Sequence, residues 1–103
     1  MWKTAKSLFP IKVKMKLGAK HILVDHEYEA NDILKKISNG EDFENLARDY
    51  SICGSAEDGG DLGEFSKGMM VKPFEQALLD LDIGNISGVE RTQFGYHIIL
   101  RTK

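Results

Sequence analysis

Three side chains of this sequence have the chemistry for catalysis: His21, Cys53 and His97. A lone thiol with distant imidazoles is the general pattern of a nucleophile and its base. That pattern is weak alone, because a free cysteine is also a common buried residue. The histidines are more informative. His21-Ile22-Leu23-Val24 and His97-Ile98-Ile99-Leu100 each open on an imidazole and continue in three aliphatics. Apolar, β-branched runs of this kind read as buried strands. Two of them suggest neighbours in one sheet, with both imidazoles at the same level. For either histidine singly, a hydrogen-bonded core residue is the commoner explanation. Metal chemistry is not expected. His21, His26, Cys53 and His97 show none of the close ligand spacing of zinc sites, and His26 reads as a surface residue.

The elements that must position these groups follow from periodicity. Residues 19–24 form the first strand and residues 25–29 an acidic loop. Ala30, Ile33, Leu34 and Ile37 recur at helical spacing, and Asn39-Gly40 ends that helix. Phe43, Leu46, Ala47 and Tyr50 make the buried stripe of a second helix, with Asp42 as its N-cap. Residues 51–60 are a loop and residues 61–66 a short extended segment. Pro73 suits the first turn of a third helix, whose stripe is Phe74, Ala77, Leu78 and Leu81. Residues 86–91 form a strand. A turn then feeds the closing strand near Tyr96, with Gly95 supplying backbone freedom. The fold class is α+β, a sheet of about four strands with helices packed on it.

A chain of 103 residues supports one domain with one modest core. Its 42% hydrophobic and 29% charged content is that of a soluble globular protein, and no run approaches a transmembrane helix. One cysteine excludes an intramolecular disulfide and fits a reducing compartment, so a cytoplasmic monomer is expected. The net charge of −2 is uneven: residues 1–20 carry six lysines and no acid, whereas residues 21–103 carry eight basic and all sixteen acidic residues. The acidic body disfavours polyanionic substrates. The Lys-rich N-terminus could touch nucleic acid or an anionic membrane, although a solvated arm is the plainer reading. Residues 11–17 alternate strictly and could add an edge strand, and Met15 is a candidate alternative start. Lys6, Lys12, Lys14 and Lys16 interrupt every candidate secretory h-region. The expected division is a basic extension, residues 1–18, and a folded domain, residues 19–103.

Met69, Met70 and Phe94 lie in turn-like contexts where core residues are less expected. With Leu62 and Phe74 they could line an apolar concavity beside the histidines. Four segments in order complete the pattern: His21-Ile22-Leu23-Val24, Gly60-Asp61-Leu62-Gly63-Glu64-Phe65, Met70-Val71-Lys72-Pro73-Phe74 and Phe94-Gly95-Tyr96-His97-Ile98-Ile99. Over residues 19–103 the chain resembles the parvulin family of peptidyl-prolyl cis/trans isomerases. The resemblance implies a four-stranded antiparallel sheet surrounded by about four helices, the fourth a short one near Met69, near Asp82 or in the long loop. It implies that His21 and His97 are the paired histidines at the sheet centre. It places Cys53 facing the substrate peptide bond and Thr92 as a hydroxyl bonded to the histidines. It makes Leu62, Met70 and Phe74 the walls of a proline pocket, with Phe94 at a variable position beside it.

Such a site needs no cofactor and takes proline-containing polypeptides. Asp replaces Cys at the Cys53 position in relatives, which favours a polar role for Cys53 over covalent attack. Relatives that require phospho-Ser or phospho-Thr carry basic residues after the first strand, where this chain has Asp25-His26-Glu27-Tyr28-Glu29. A phosphate requirement is therefore not expected. The chain reads as a stand-alone catalytic domain that assists folding. The alternatives are a proline-segment-binding or chaperone module with incidental turnover, a tether working through the basic arm and, last, a thiol hydrolase.

Overall fold

Alternation along the first strand sets the architecture. The structure is a computed structural model and describes residues 16–103. In β1 (Lys16–Val24), Leu17, Ala19, His21 and Leu23 face one side of the sheet, and Ile22 and Val24 face the other. β1 pairs antiparallel with β2 (Asp61–Ser66) and with β4 (Gly95–Arg101), and β4 pairs with β3 (Glu90–Thr92). The order is β2-β1-β4-β3, so the two histidine-bearing strands are the central ones.

Each face has its own apolar cover. α1 (Glu27–Ser38) and α2 (Phe43–Tyr50) pack Ala30, Ile33, Phe43 and Leu46 against Ile22, Val24 and Ile98. α3 (Lys72–Leu79) packs Phe74, Ala77 and Leu78 against Leu17, Ala19, Phe65 and Ile99. The expected caps are in place: Asp42 accepts the Asn45 N–H at 3.1 Å, and Pro73 lies in the first turn of α3.

The expected four-stranded antiparallel sheet is present, with three α-helices and one short 3-10 turn, Gly54–Asp58, in the long loop. That turn is the fourth helical element, and Gly59 closes it at φ 70°. Several boundaries differ from the sequence reading. β1 starts at Lys16, before residue 19, and Leu17 is fully buried. Residues 27–29 are the first turn of α1 rather than loop. The His26 N–H donates to Glu29 Oε1 at 3.1 Å, which closes the helix start. The strand expected at 86–91 shrinks to Glu90–Thr92 plus one bridge from Ile86 to Leu100. Ser87 explains the break, because its hydroxyl accepts the Ile99 N–H at 2.9 Å while its own N–H donates to the Ile99 carbonyl at 2.8 Å. Tyr50, placed on the buried stripe of α2, is 46% exposed. The alternating residues 11–15 lie outside the described residues.

Candidate active site

The register of the central strands places the histidines. Leu23 lies opposite His97, and His21 lies opposite Ile99. The imidazoles are therefore diagonal neighbours on one face, offset by one pair, and not level as expected. The offset lets the ring edges meet: Nδ1 of His21 and Nδ1 of His97 are 3.0 Å apart, with the rings 24° from parallel. At its other edge, His97 Nε2 is 2.7 Å from Thr92 Oγ1, which also accepts the Phe94 N–H at 3.1 Å. A β3–β4 turn thus holds the second histidine through one hydroxyl.

Proton counting restricts this chain of bonds. Two facing Nδ1 atoms share one proton, so one ring donates and the other accepts. The Thr92 hydroxyl then either donates to His97 Nε2 or accepts from it. Neutral rings satisfy both arrangements. Both pKa values are lowered to about 4, by burial in each case and for His21 also by the neighbouring His97. His21 and His97 are 5% and 3% exposed, so an imidazolium there would lack water.

Gly60 seats His21 from behind. Its carbonyl accepts the His21 N–H at 2.9 Å, its φ is +85°, and a Cβ there would overlap the His21 carbonyl oxygen. Only glycine meets both demands.

In front of the imidazoles lies a cavity of about 270 Å³, lined by His21, Leu23, Cys53, Leu62, Met70, Val71, Phe74, Phe94 and His97. Phe74 meets both rings edge-on, at centroid distances of 5.6 and 5.4 Å. Of the expected pocket walls, Leu62, Met70, Phe74 and Phe94 line it, together with Cys53 and both histidines. Thr92 stands behind His97 and outside the lining. Met69, grouped with these residues at first, is 70% exposed and does not line the cavity. Leu23 and Val71 were missed. Period-two spacing from His21 was the available signal for Leu23, and adjacency to Met70 for Val71.

Among the described residues, no hydrogen bond joins the Cys53 thiol to either imidazole; its backbone N–H donates to Ser51 Oγ at 3.4 Å. The bonded network is therefore Thr92–His97–His21, and Cys53 adjoins it only across the cavity. An imidazole with no thiol in reach and a strongly lowered basicity is a poor activator of a nucleophile. Among the described residues no three metal-ligating side chains come together. What the arrangement can do is hold an apolar ring against neutral, preoriented rings in a place largely shielded from water.

This fold is shared with known proteins. The family model for the rotamase, PPIC-type PPIase, domain matches residues 11–103. The foldase protein PrsA of Caldanaerobacter subterraneus is 52% identical over 84 residues, which is 81% of this chain and 28% of that protein. The crystal structure of the peptidylprolyl isomerase PrsA from Bacillus anthracis superposes with a TM-score of 0.84 at 47% identity, covering 86% of this chain and 42% of that one. The solution structure of NmPin, the parvulin of Nitrosopumilus maritimus, gives a TM-score of 0.75 at 48% identity, covering 85% of this chain and 96% of that one. The chain belongs to the PPIC-type peptidyl-prolyl cis/trans isomerases, the parvulins. It spans about 28% of the length of the Caldanaerobacter foldase it matches.

Proposed function

We propose that this chain is a general prolyl isomerase that acts on X–Pro bonds of unphosphorylated segments and so assists protein folding. The observation that carries the reading is the apolar cavity closed at its back by a neutral, hydrogen-bonded imidazole pair. Rotation about a peptide bond meets a barrier of ~18–20 kcal/mol, raised by amide resonance that water supports at the carbonyl. A cavity that grips the proline ring and removes that water favours the twisted amide, in which resonance is lost. Leu62, Met70, Phe74 and Phe94 hold the ring. Thr92, His97 and His21 keep the cavity floor rigid and uncharged. Cys53 faces the amide as a polar group, so no bond is made or broken. On this reading Cys53→Asp retains turnover, whereas a thiol hydrolase would lose everything.

The unphosphorylated preference rests on charge. Residues 21–34 contain no Lys or Arg. The N-terminus of α1 could attract an anion, but Glu27 and Glu29 occupy its first turn. A phosphate held beside residues 25–29 would face Asp25, Glu27 and Glu29, with no Lys or Arg in that segment to fork it. We place the protein, as a monomer with Cys53 reduced, in the cytoplasm; cell fractionation and sedimentation check both. Contact of the Lys-rich arm with nucleic acid or anionic membrane would show as binding that falls steeply with salt.

The deciding experiment is NMR exchange spectroscopy on X–Pro peptides with X as Leu, Ala, Glu or phospho-Ser. The expected result is faster cis/trans exchange with Leu and Ala and little gain with phospho-Ser. Exchange accelerated only for phospho-Ser would overturn the specificity. Peptide binding without acceleration would make the chain a proline-segment-binding module.

A further inference from the structure

A second cavity lies back to back with the first. Leu23 lines the proline cavity, and the next residue, Val24, lines a groove of about 220 Å³ on the opposite face. Its other walls are Tyr28, Glu29, Asp32, Ile33 and Tyr50. The two tyrosines are 71% and 46% exposed, and they stand beside two carboxylates over an apolar floor of Val24 and Ile33. Rings and carboxylates around one hollow suit a cation with an apolar stem, which is a lysine or arginine side chain.

The protein already shows this chemistry at the edge of the groove. The Lys36 ammonium is 3.7 Å from the Asp32 carboxylate and 6.0 Å from the centroid of the Tyr50 ring. The pair is an exposed one across a single helical turn, with Asp32 64% exposed, so Lys36 is held weakly and yields to an incoming cation. Charge supports the same occupant, because Asp25, Glu27 and Asp49 add to Glu29 and Asp32 in the adjoining sequence and outnumber Lys35, Lys36 and Arg48 there.

The ridge between the two cavities is a built one. The Leu23 N–H donates to Ser51 Oγ at 3.0 Å, and the Ile52 N–H donates to the Leu23 carbonyl at 2.8 Å. Tyr50, on one side of this pinned segment, walls the groove, and Cys53, on the other, walls the proline cavity. Ile52 crowns the ridge at 56% exposure, an apolar surface over which an extended peptide can pass.

We propose that the groove is an accessory subsite for a Lys or Arg side chain of the same polypeptide whose proline occupies the cavity. The subsite rests on the prolyl isomerase reading and refines its substrate class. Side-chain layers on the two faces of a strand are ~10 Å or more apart, and an extended chain advances ~3.3 Å per residue. The basic residue then lies about three to five residues from the proline.

The test uses the full chain and Leu–Pro peptides carrying Lys three, four or five residues to either side, each matched by a norleucine peptide. At low salt the best-placed Lys should raise kcat/KM by about threefold to tenfold, through KM with kcat unchanged. Tyr50→Ala and Asp32→Asn should remove that gain, while Tyr50→Phe, which keeps the ring, should retain it. Amide shifts at Asp32 and Tyr50 should follow the Lys peptide and not the norleucine one. Equal kinetics for Lys and norleucine would overturn the subsite and leave the isomerase reading standing. So would a gain that is equal at all spacings and survives both Tyr50→Ala and Asp32→Asn, since that is attraction to the acidic body. Absence of turnover for every peptide would remove the isomerase reading and the subsite with it.

Discussion

Acidification from about pH 6.5 should destabilise this fold steeply through two buried imidazoles. The perturbation acts on His21 and His97, whose pKa values fall from 6.5 to about 4 through burial, with the His97 neighbour adding for His21. The unfolded chain binds protons at these sites from about pH 6.5 downward, whereas the folded chain refuses them until about pH 4. Between those values the unfolded state holds more protons, so stability falls as pH falls. Each imidazole costs about 1.4 kcal/mol per pH unit once its unfolded form is fully titrating. From pH 6.5 to 4.5 the two together remove about 4 kcal/mol, a large part of the stability of a small domain. Below about pH 4 their contribution levels off. Burial is the main cause of the resistance, and charging both rings would in addition set two Nδ1–H donors against each other across 3.0 Å. Urea titrations followed by circular dichroism at half-unit pH steps give the slope. A His21→Gln/His97→Gln variant should show a much flatter profile. NMR of the ring protons should find neither buried histidine titrating above pH 5. Constant stability between pH 6.5 and 5, or either ring titrating near 6.5 in the folded protein, would refute the reasoning.

Three substitutions probe the supports of the site. Gly60→Ala forces a side chain into positive φ and against the His21 carbonyl; denaturant midpoints should record a loss of about 3 kcal/mol or more. Thr92→Val leaves His97 Nε2 and the Phe94 N–H without their shared partner; stability should drop by about 1–3 kcal/mol, and kcat should fall more than KM rises. Phe74, 3% exposed, packs in the core and against both imidazoles; Phe74→Ala should cost about 3–5 kcal/mol. Phe74→Leu keeps most of that packing and should fold, yet raise KM for Leu–Pro peptides. Unchanged kinetics in Phe74→Leu would remove this ring from the proline pocket.

Much of the fold was legible because local periodicity and burial agree here. Strand alternation put His21 and His97 on buried strands, helical spacing located α1, α2 and α3, and Asp42 and Pro73 marked two helix starts. Met70 and Phe94 were read as pocket residues through the family resemblance, whereas turn context alone grouped the exposed Met69 with them. One misreading was local. The acidic segment looked like loop because Glu27 and Glu29 are as natural in a helix's first turn as in a loop, and only the His26 cap distinguishes them.

The sequence by itself marked most of the buried residues and the faces they share, and suggested that two imidazoles gather in an apolar surrounding. Side-chain pattern alone carries that information, since burial of apolar area dominates the choice of inward face. Tertiary structure decided what long-range pairing controls. The β1–β4 register made the histidines diagonal and so joined their Nδ1 atoms. Docking of residues 51–52 on β1 kept the Cys53 thiol off the imidazoles, exposed Tyr50, and raised the ridge between two cavities. Register and docking depend on contacts between residues distant in sequence, and no local propensity records them.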